Sequence, residues 1–346
     1  MILSRQREAL SKKLFPEGIP RLWCPLLTHY DGNGKIDLPR MRAHFAHVAP
    51  WVAGFLIPGT TGDGWELDDG ETETVVRFAL EEASNHDSRI LLGALRHGTE
   101  DVLALMDRLF RLLESSTEEK DPLAVLTKSR VSGFTVCAPK GRGLDQETIL
   151  RSLFSIADRG YPLALYQLPQ VTENEIHPDT FDRLCLTFAN IIFFKDSSGG
   201  DRIAAALHRE GVFLVRGAEG GYGQWLTEAG GPYDGFLLST ANCFAAELSA
   251  IIDATGRGDL LSALELSEIV TGVFREVSGL VGGLPVGNAF TNANKAMDHF
   301  FALGPEASTA PGPMLHGGVR IPPEALEKTR ESLNRFGLIP ETGYLP

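Results

Sequence analysis

Short apolar runs alternate with longer stretches of helical period along most of this chain. The runs at residues 22–28, 52–57, 90–95, 133–138, 163–166, 191–195, 213–216 and 235–239 have the length and composition of buried strands. Between them, residues 39–48, 71–84, 99–114, 146–158, 178–188, 201–208 and 221–228 have the amphipathic spacing of helices. Strands that are apolar throughout, each followed by a helix, predict a parallel sheet covered on its outer face. Eight such units are the number that closes a (β/α)8 TIM barrel. Further helical patterns follow at 245–255, 260–277, 288–303 and 323–336. The first completes the ring of helices; the others predict a C-terminal helical extension. The expected division is an N-terminal surface segment (1–20), the barrel (21–256) and the extension (257–346). Residues 115–130, charged and containing Asp121-Pro122, read as an insertion before the fourth strand, longer than such connections usually are.

The boundary between apolar and polar positions is most informative at Lys195. It closes the run Ile191-Ile192-Phe193-Phe194 and opens the polar loop Asp196-Ser197-Ser198-Gly199-Gly200. An ordinary lysine, with a pKa of about 10.4, is nearly all ammonium at neutral pH and cannot attack a carbonyl. Partial desolvation lowers that value and frees the lone pair, which is how Schiff-base lysines are made. Two other strand ends carry matching chemistry. Gly59-Thr60-Thr61-Gly62-Asp63 follows the second apolar run, and a tight turn of this kind presents backbone N–H groups as an anion-sized concavity. Tyr166 ends the fifth run, in Leu165-Tyr166-Gln167-Leu168-Pro169, where a phenol can carry a proton to or from a bound intermediate. Gly59, Tyr166, Lys195, Gly217 and Ser239 all fall at carboxyl ends of expected strands, the face on which barrels of this type build their sites.

In order and spacing, the Gly-Thr-Thr-Gly turn, the Tyr166-x-x-Pro169 segment and the Lys195-Asp196-x-x-Gly199 segment resemble those of the dihydrodipicolinate synthase / N-acetylneuraminate lyase family. Cys24-Pro25-Leu26-Leu27-Thr28, the pair Gly217 and Glu219, Ser239-Thr240-Ala241-Asn242 and Val319-Arg320-Ile321-Pro322-Pro323 are similar to further segments of it. The resemblance implies a class I aldolase or lyase acting on a 2-keto acid, with pyruvate as product or donor and a sugar-acid-derived substrate. Lys195 would form the imine. The turn of Gly59, Thr60, Thr61 and Gly62 would seat the carboxylate, and Tyr166 with Thr60 would move the proton. Gly217, Glu219 and Ser239 would hold the distal chain. No metal or organic cofactor is implied, and the family is usually a tetramer of paired dimers, so a homo-oligomer is expected. Two alternatives remain: a keto-deoxy sugar acid dehydratase using the same imine, and a non-catalytic homologue that binds a 2-keto acid.

The chain departs from the family at two informative places. Many members carry a tyrosine pair after the proline matched by Pro139, one of which completes the proton relay in a neighbouring subunit; Lys140 and Gly141 stand here instead. The dihydrodipicolinate synthases place a carboxylate-gripping arginine after Tyr-x-x-Pro. Gln170 occupies that position, and an amide does not replace a charged bidentate fork. Asp63, where a glutamate is usual, reads as a structural change.

Composition narrows the partners. Of 346 residues, 32 are Lys or Arg and 45 Asp or Glu, a net charge of −13 that argues against nucleic acid and anionic membranes as partners. Cys24, Cys137, Cys185 and Cys243 are widely separated and read as free thiols, which with a polar N-terminus suggests a cytoplasmic protein. His44 and His47, three apart, are expected on a solvated helix face rather than at a metal.

Overall fold

The computed structural model describes residues 2–206 and 211–345. Eight parallel strands close a barrel in sequence order: β1 (Leu22–Cys24), β2 (Gly54–Ile57), β3 (Arg89–Gly93), β4 (Val131–Cys137), β5 (Leu163–Gln167), β6 (Ile191–Asp196), β7 (Phe213–Arg216) and β8 (Gly235–Leu237). The ring shuts where Leu22 pairs with Phe236 and Trp23 with Leu237. The helices are α1 (Ile2–Leu14), α2 (Leu38–Val48), α3 (Asp69–Asn85), α4 (Thr99–Ser115), α5 (Pro122–Lys128), α6 (Gln146–Ala157), α7 (Pro169–Thr172), α8 (Pro178–Cys185), α9 (Arg202–Ala205), α10 (Ala245–Gly256), α11 (Leu260–Val281), α12 (Ala289–Leu303) and α13 (Pro323–Arg335). Among the described residues no helix is long and apolar enough to cross a membrane.

The barrel interior is packed at its base. Trp23, Leu56, Leu91, Ala164, Ile192, Phe193, Val215 and Leu237 form one buried cluster with Leu14 and Phe15. Trp23 and Phe193 meet edge to face at 5.3 Å, and Phe15 closes on both from below. Gly54 makes room for the indole, since a Cβ there would lie 2.4 Å from Trp23. The N-terminal segment is therefore more than the surface helix its polar sequence suggested. Leu14 and Phe15 plug the barrel, and buried Arg7 donates to the carbonyls of Ile191, Cys185 and Phe188. A guanidinium with its stem in apolar surroundings thus ties the end of α8 and the connection after it to the start of β6.

Several elements differ from their sequence-based bounds for local reasons. β1 is shorter because Pro25 lacks an N–H to continue the ladder. β8 gives way at Ser239–Asn242 to a 3₁₀ turn. Residues 221–228 are not a helix but two single 3₁₀ turns, Tyr222–Gln224 and Thr227–Ala229, with Gly221 and Gly230 in left-handed conformations beside them. The helix expected at 201–208 is observed as α9 only, and residues 207–210 lie outside the described residues. The supposed insertion contains α5, capped by Asp121 with Pro122 at its first turn.

The histidine expectation is corrected. His44 is fully buried, its Nδ1 3.0 Å from His29 Nε2 and its Nε2 2.9 Å from the carbonyl of Asn242. Burial lowers both imidazole pKa values. Asp298 of α12 stands 3.7–3.8 Å from the two rings, but its carboxylate already takes Arg40 at 2.5 Å and the Tyr344 hydroxyl at 2.7 Å. Although the donor atoms of His29, His44 and Asp298 lie within 4.8 Å of one another, they form a satisfied polar lock between α2, α12 and the chain's end. His47 stacks on Tyr344. The periodicity of α2 could not show that residues about 300 positions later cover this face.

Candidate active site

The strands aim the chemistry toward one mouth. Between β5 and β6 the register slips: Leu163 faces Ile191, but Ala164 faces Phe193. This irregularity puts both Ile192 and Phe193 into the interior cluster and re-aims the rest of the strand. Lys195, two residues on from Phe193, then shares its inward face, directly across the ladder from Tyr166. Tyr166 lies in turn beside Cys137 of β4.

Lys195, Tyr166, Thr60 and Thr61 are all buried and line a single cavity of about 290 Å³, together with Gln170, Ser197, Gly217, Glu219, Ser239 and the stretch Asn288, Ala289 and Phe290. Lys195 Nζ sits 4.1 Å above the Tyr166 ring centroid and makes no hydrogen bond or ion pair among the described residues. Burial lowers its pKa to about 8, against smaller upward pulls from Cys137, Glu219 and Cys24. A usable fraction of the amine is therefore neutral near physiological pH. Tyr166 moves the other way: burial raises its pKa, so the phenol stays protonated. Its hydroxyl lies 3.4 Å from Thr60 Oγ1.

The threonine turn is held from outside the barrel. Thr60–Gly62 is a single 3₁₀ turn, whose first N–H groups have no partner within the turn. Its carbonyls point away and are tied down. Thr28 Oγ1 donates to Gly62 at 2.7 Å, and Thr291 Oγ1 to Thr60 and Thr61 at 3.3 and 3.1 Å. Asn288 adds a bond to the Thr60 carbonyl. Asp63, in the left-handed conformation that ends the turn, pairs with buried Lys295 at 3.1 Å and accepts the Tyr30 hydroxyl at 3.0 Å. Nothing local announced α12 as part of the site: its contribution comes from more than 220 residues downstream.

The glycines and the distal residues differ in kind from one another. Gly217 leaves space for Lys195, because a Cβ there would lie 2.6 Å from Lys195 Cε and 2.2 Å from Ser197 Oγ. Gly62 similarly admits the Leu26 carbonyl. Gly59 packs on Pro25 and Leu56. Glu219 accepts from Ser239 Oγ at 2.6 Å, Thr240 Oγ1 at 2.7 Å, Tyr222 Oη at 2.9 Å and the Thr240 N–H at 3.2 Å. Four donors fill a carboxylate's usual capacity, so Glu219 and Ser239 are bonded to each other rather than both free for ligand hydroxyls. Gln170 lines the cavity and donates to the Ser197 carbonyl at 3.0 Å. Lys140 and Arg142 lie outside the cavity, Lys140 beside Glu173 on the surface. A larger cleft of about 810 Å³, between the turns after β7 and α11, is lined by Arg216 and shares Glu219 with this cavity, but not Lys195.

The structure is a closed parallel barrel with a buried lysine at the mouth of its sixth strand. Comparison with known proteins places it beside others of this fold. Residues 146–280 match the Dihydrodipicolinate synthetase family. The 4-hydroxy-tetrahydrodipicolinate synthase of Methanospirillum hungatei is 26% identical over 278 residues, covering 79% of this chain and 88% of that protein. The same-named protein of Persephonella marina is 30% identical over 171 residues, covering 48% and 52%. Among solved structures, YagE of Escherichia coli K12, a member of the dihydrodipicolinic acid synthase family determined with pyruvate, superposes with a TM-score of 0.73 at 16% identity, covering 92% of this chain and 99% of that one. The chain is thus similar to the Dihydrodipicolinate synthetase family over residues 146–280 and to proteins named 4-hydroxy-tetrahydrodipicolinate synthase over most of its length, and it shares the fold of the solved structure.

Proposed function

We propose that this protein is a class I aldolase or lyase that binds a 2-keto acid as an imine on Lys195, with pyruvate as product or donor. The observation that carries the proposal is the unpaired, buried Lys195 amine, with its pKa near 8, against Tyr166 and the threonine turn. The neutral amine attacks the keto carbon, and loss of water gives the imine. The protonated imine withdraws electrons from the adjacent C–C bond, which breaks or forms through an enamine. The N–H groups of the Thr60-Thr61 turn seat the carboxylate, and Tyr166 supplies and recovers the proton. The residues themselves supply the electrophile, so the proposal calls for no metal or organic cofactor.

The distal end of the cavity bears on the aldehyde partner. No arginine lines the cavity among the described residues, and Glu219 places negative charge beside it, which disfavours a second carboxylate. A sugar-acid-derived partner requires the donors now on Glu219 to be exchanged for substrate hydroxyls. A second reading rests on the wall formed by Leu168, Val171, Ala289 and Phe290: an aldehyde with an apolar substituent buries it there without exchanging any hydrogen bond.

Incubation with pyruvate and borohydride, followed by intact-mass measurement, tests the proposal. A single pyruvate-sized adduct is expected, lost in Lys195→Ala. No adduct with any 2-keto acid in the parent protein would leave the non-catalytic binding homologue as the better account. Aldehyde panels then separate hydroxylated from apolar partners, and product analysis separates aldol cleavage from dehydration.

A further inference from the structure

Trp65 follows the threonine turn by a few residues and donates its indole N–H to Thr60 Oγ1 at 3.0 Å. The ring stacks on His97, with centroids 5.4 Å apart and planes 17° from parallel, and packs against the cluster of Leu95, Cys137, Tyr166 and Leu168. It does not line the cavity. Its polar contact with the site is the hydrogen bond to a hydroxyl that also faces Tyr166.

The consequence lies in the direction of the bonds. An indole N–H can only donate, whereas a threonine hydroxyl has one hydrogen to give. When Thr60 Oγ1 accepts from Trp65, its own hydrogen is left for the Tyr166 oxygen 3.4 Å away. That separation is long for such a bond, as catalytic hydrogen bonds commonly are before substrate binds. With its oxygen thus accepting, Tyr166 has its hydrogen free for the side on which Lys195 and Ser197 stand.

We propose that Trp65 is a positioning residue: it fixes the polarity of the Thr60–Tyr166 pair and completes the proton-transfer group within a single chain. This rests on the imine reading of Lys195. In the dehydration step the nitrogen lone pair forms the C=N bond as the carbinolamine C–O bond breaks. The departing hydroxide takes the Tyr166 proton and leaves as water. The resulting phenolate is met by the Thr60 hydrogen, and it recovers its proton from the methyl carbon of the iminium, whose C–H electrons become the enamine double bond. The indole cannot pass a proton onward, so the cycle closes on Tyr166 without a further relay member. The loop after Pro139, which holds Lys140 and Gly141, is then not required to supply one.

Trp65→Phe keeps the aromatic ring and removes the donor. In this variant the rate of pyruvate methyl-hydrogen exchange in D₂O is expected to fall at least about tenfold, within the range of a weakened proton-transfer group. The pyruvate concentration giving half-maximal exchange stays nearly unchanged, and the borohydride adduct on Lys195 still forms in full after long incubation. A purely structural role would instead move the half-saturation and the melting temperature together. Independently of catalysis, ¹⁵N-tryptophan labelling gives four indole signals, one of which Trp65→Phe identifies. In Thr60→Val that signal is expected to move upfield and exchange faster with solvent. Wild-type exchange kinetics in Trp65→Phe, or an unmoved indole signal in Thr60→Val, would overturn the proposal. If the parent protein forms no adduct, the reading of Lys195 falls and the catalytic role of Trp65 falls with it; the indole signal still reports whether its bond to Thr60 exists.

Discussion

Lys195 and Lys295 are both buried, 4% and 1% exposed, and each holds its amine over a tyrosine ring, at 4.1 Å from Tyr166 and 4.5 Å from Tyr30. They differ in one neighbour. Lys295 meets the carboxylate of Asp63 at 3.1 Å, whereas Lys195 has no carboxylate within ion-pair distance among the described residues. A buried amine with a counter-charge makes a rigid strut; one without it gives up its proton readily and becomes a nucleophile. The molecule uses both at one site: Lys295 helps to fix the turn at Thr60, and Lys195 faces that turn across the cavity. Burial and an aromatic face are therefore common to both lysines, and the counter-charge is what separates them.

The sharpest way to break this comparison is to remove each charge in turn. Lys295→Met leaves Asp63 buried and unpaired, and should cost about 3–5 kcal/mol of stability in urea titrations. Lys195→Met should do the opposite. Its amine has a lower pKa in the folded chain than unfolded, so the unfolded state binds more protons between about pH 8 and 10.4, and stability rises with pH across that window. Below pH 8 the full cost of burying the ammonium is present, and removing it should stabilise by about 1–3 kcal/mol. Two losses of similar size would show that Lys195 too is a strut.

A smaller effect comes from titration. The rate of imine formation with pyruvate should rise with pH and level off above about 8, falling about tenfold per unit well below that. A rate still climbing at pH 10 would place Lys195 among ordinary lysines. The smallest effect concerns Glu219, whose negative charge pulls the Lys195 pKa upward. Glu219→Gln should move the midpoint of the pH–rate curve to lower pH, and an upward movement would contradict the assigned electrostatics.

The barrel, with Lys195, Tyr166 and Thr60 at its mouth, was legible because each signal is local. A strand ends where its apolar run meets a polar loop, and the residues at that edge face the site. The residues that complete the site were not legible for the opposite reason. The glycine at 217 lines the cavity and also makes room for Lys195, a steric demand set by another strand. The hydrogen bond between Glu219 and Ser239 depends on a contact between the ends of two different strands. Trp65 has no spacing that marks it, and His44 looks solvent-facing until Tyr344 and α12 cover it. Local pattern reports which side of an element is apolar; it does not report what arrives there from elsewhere in the chain.

Asn288, Thr291 and Lys295 grip the threshold of the cavity at intervals of about one helical turn along α12. The two walls of one chemical pocket are thus encoded more than 220 residues apart. Recombination that joins this barrel to a relative's tail would carry over every strand and Lys195, yet leave the threonine turn loose. Only a donor tail with amide, hydroxyl and ammonium at matching spacing would restore it, which makes the tail an inherited part of specificity.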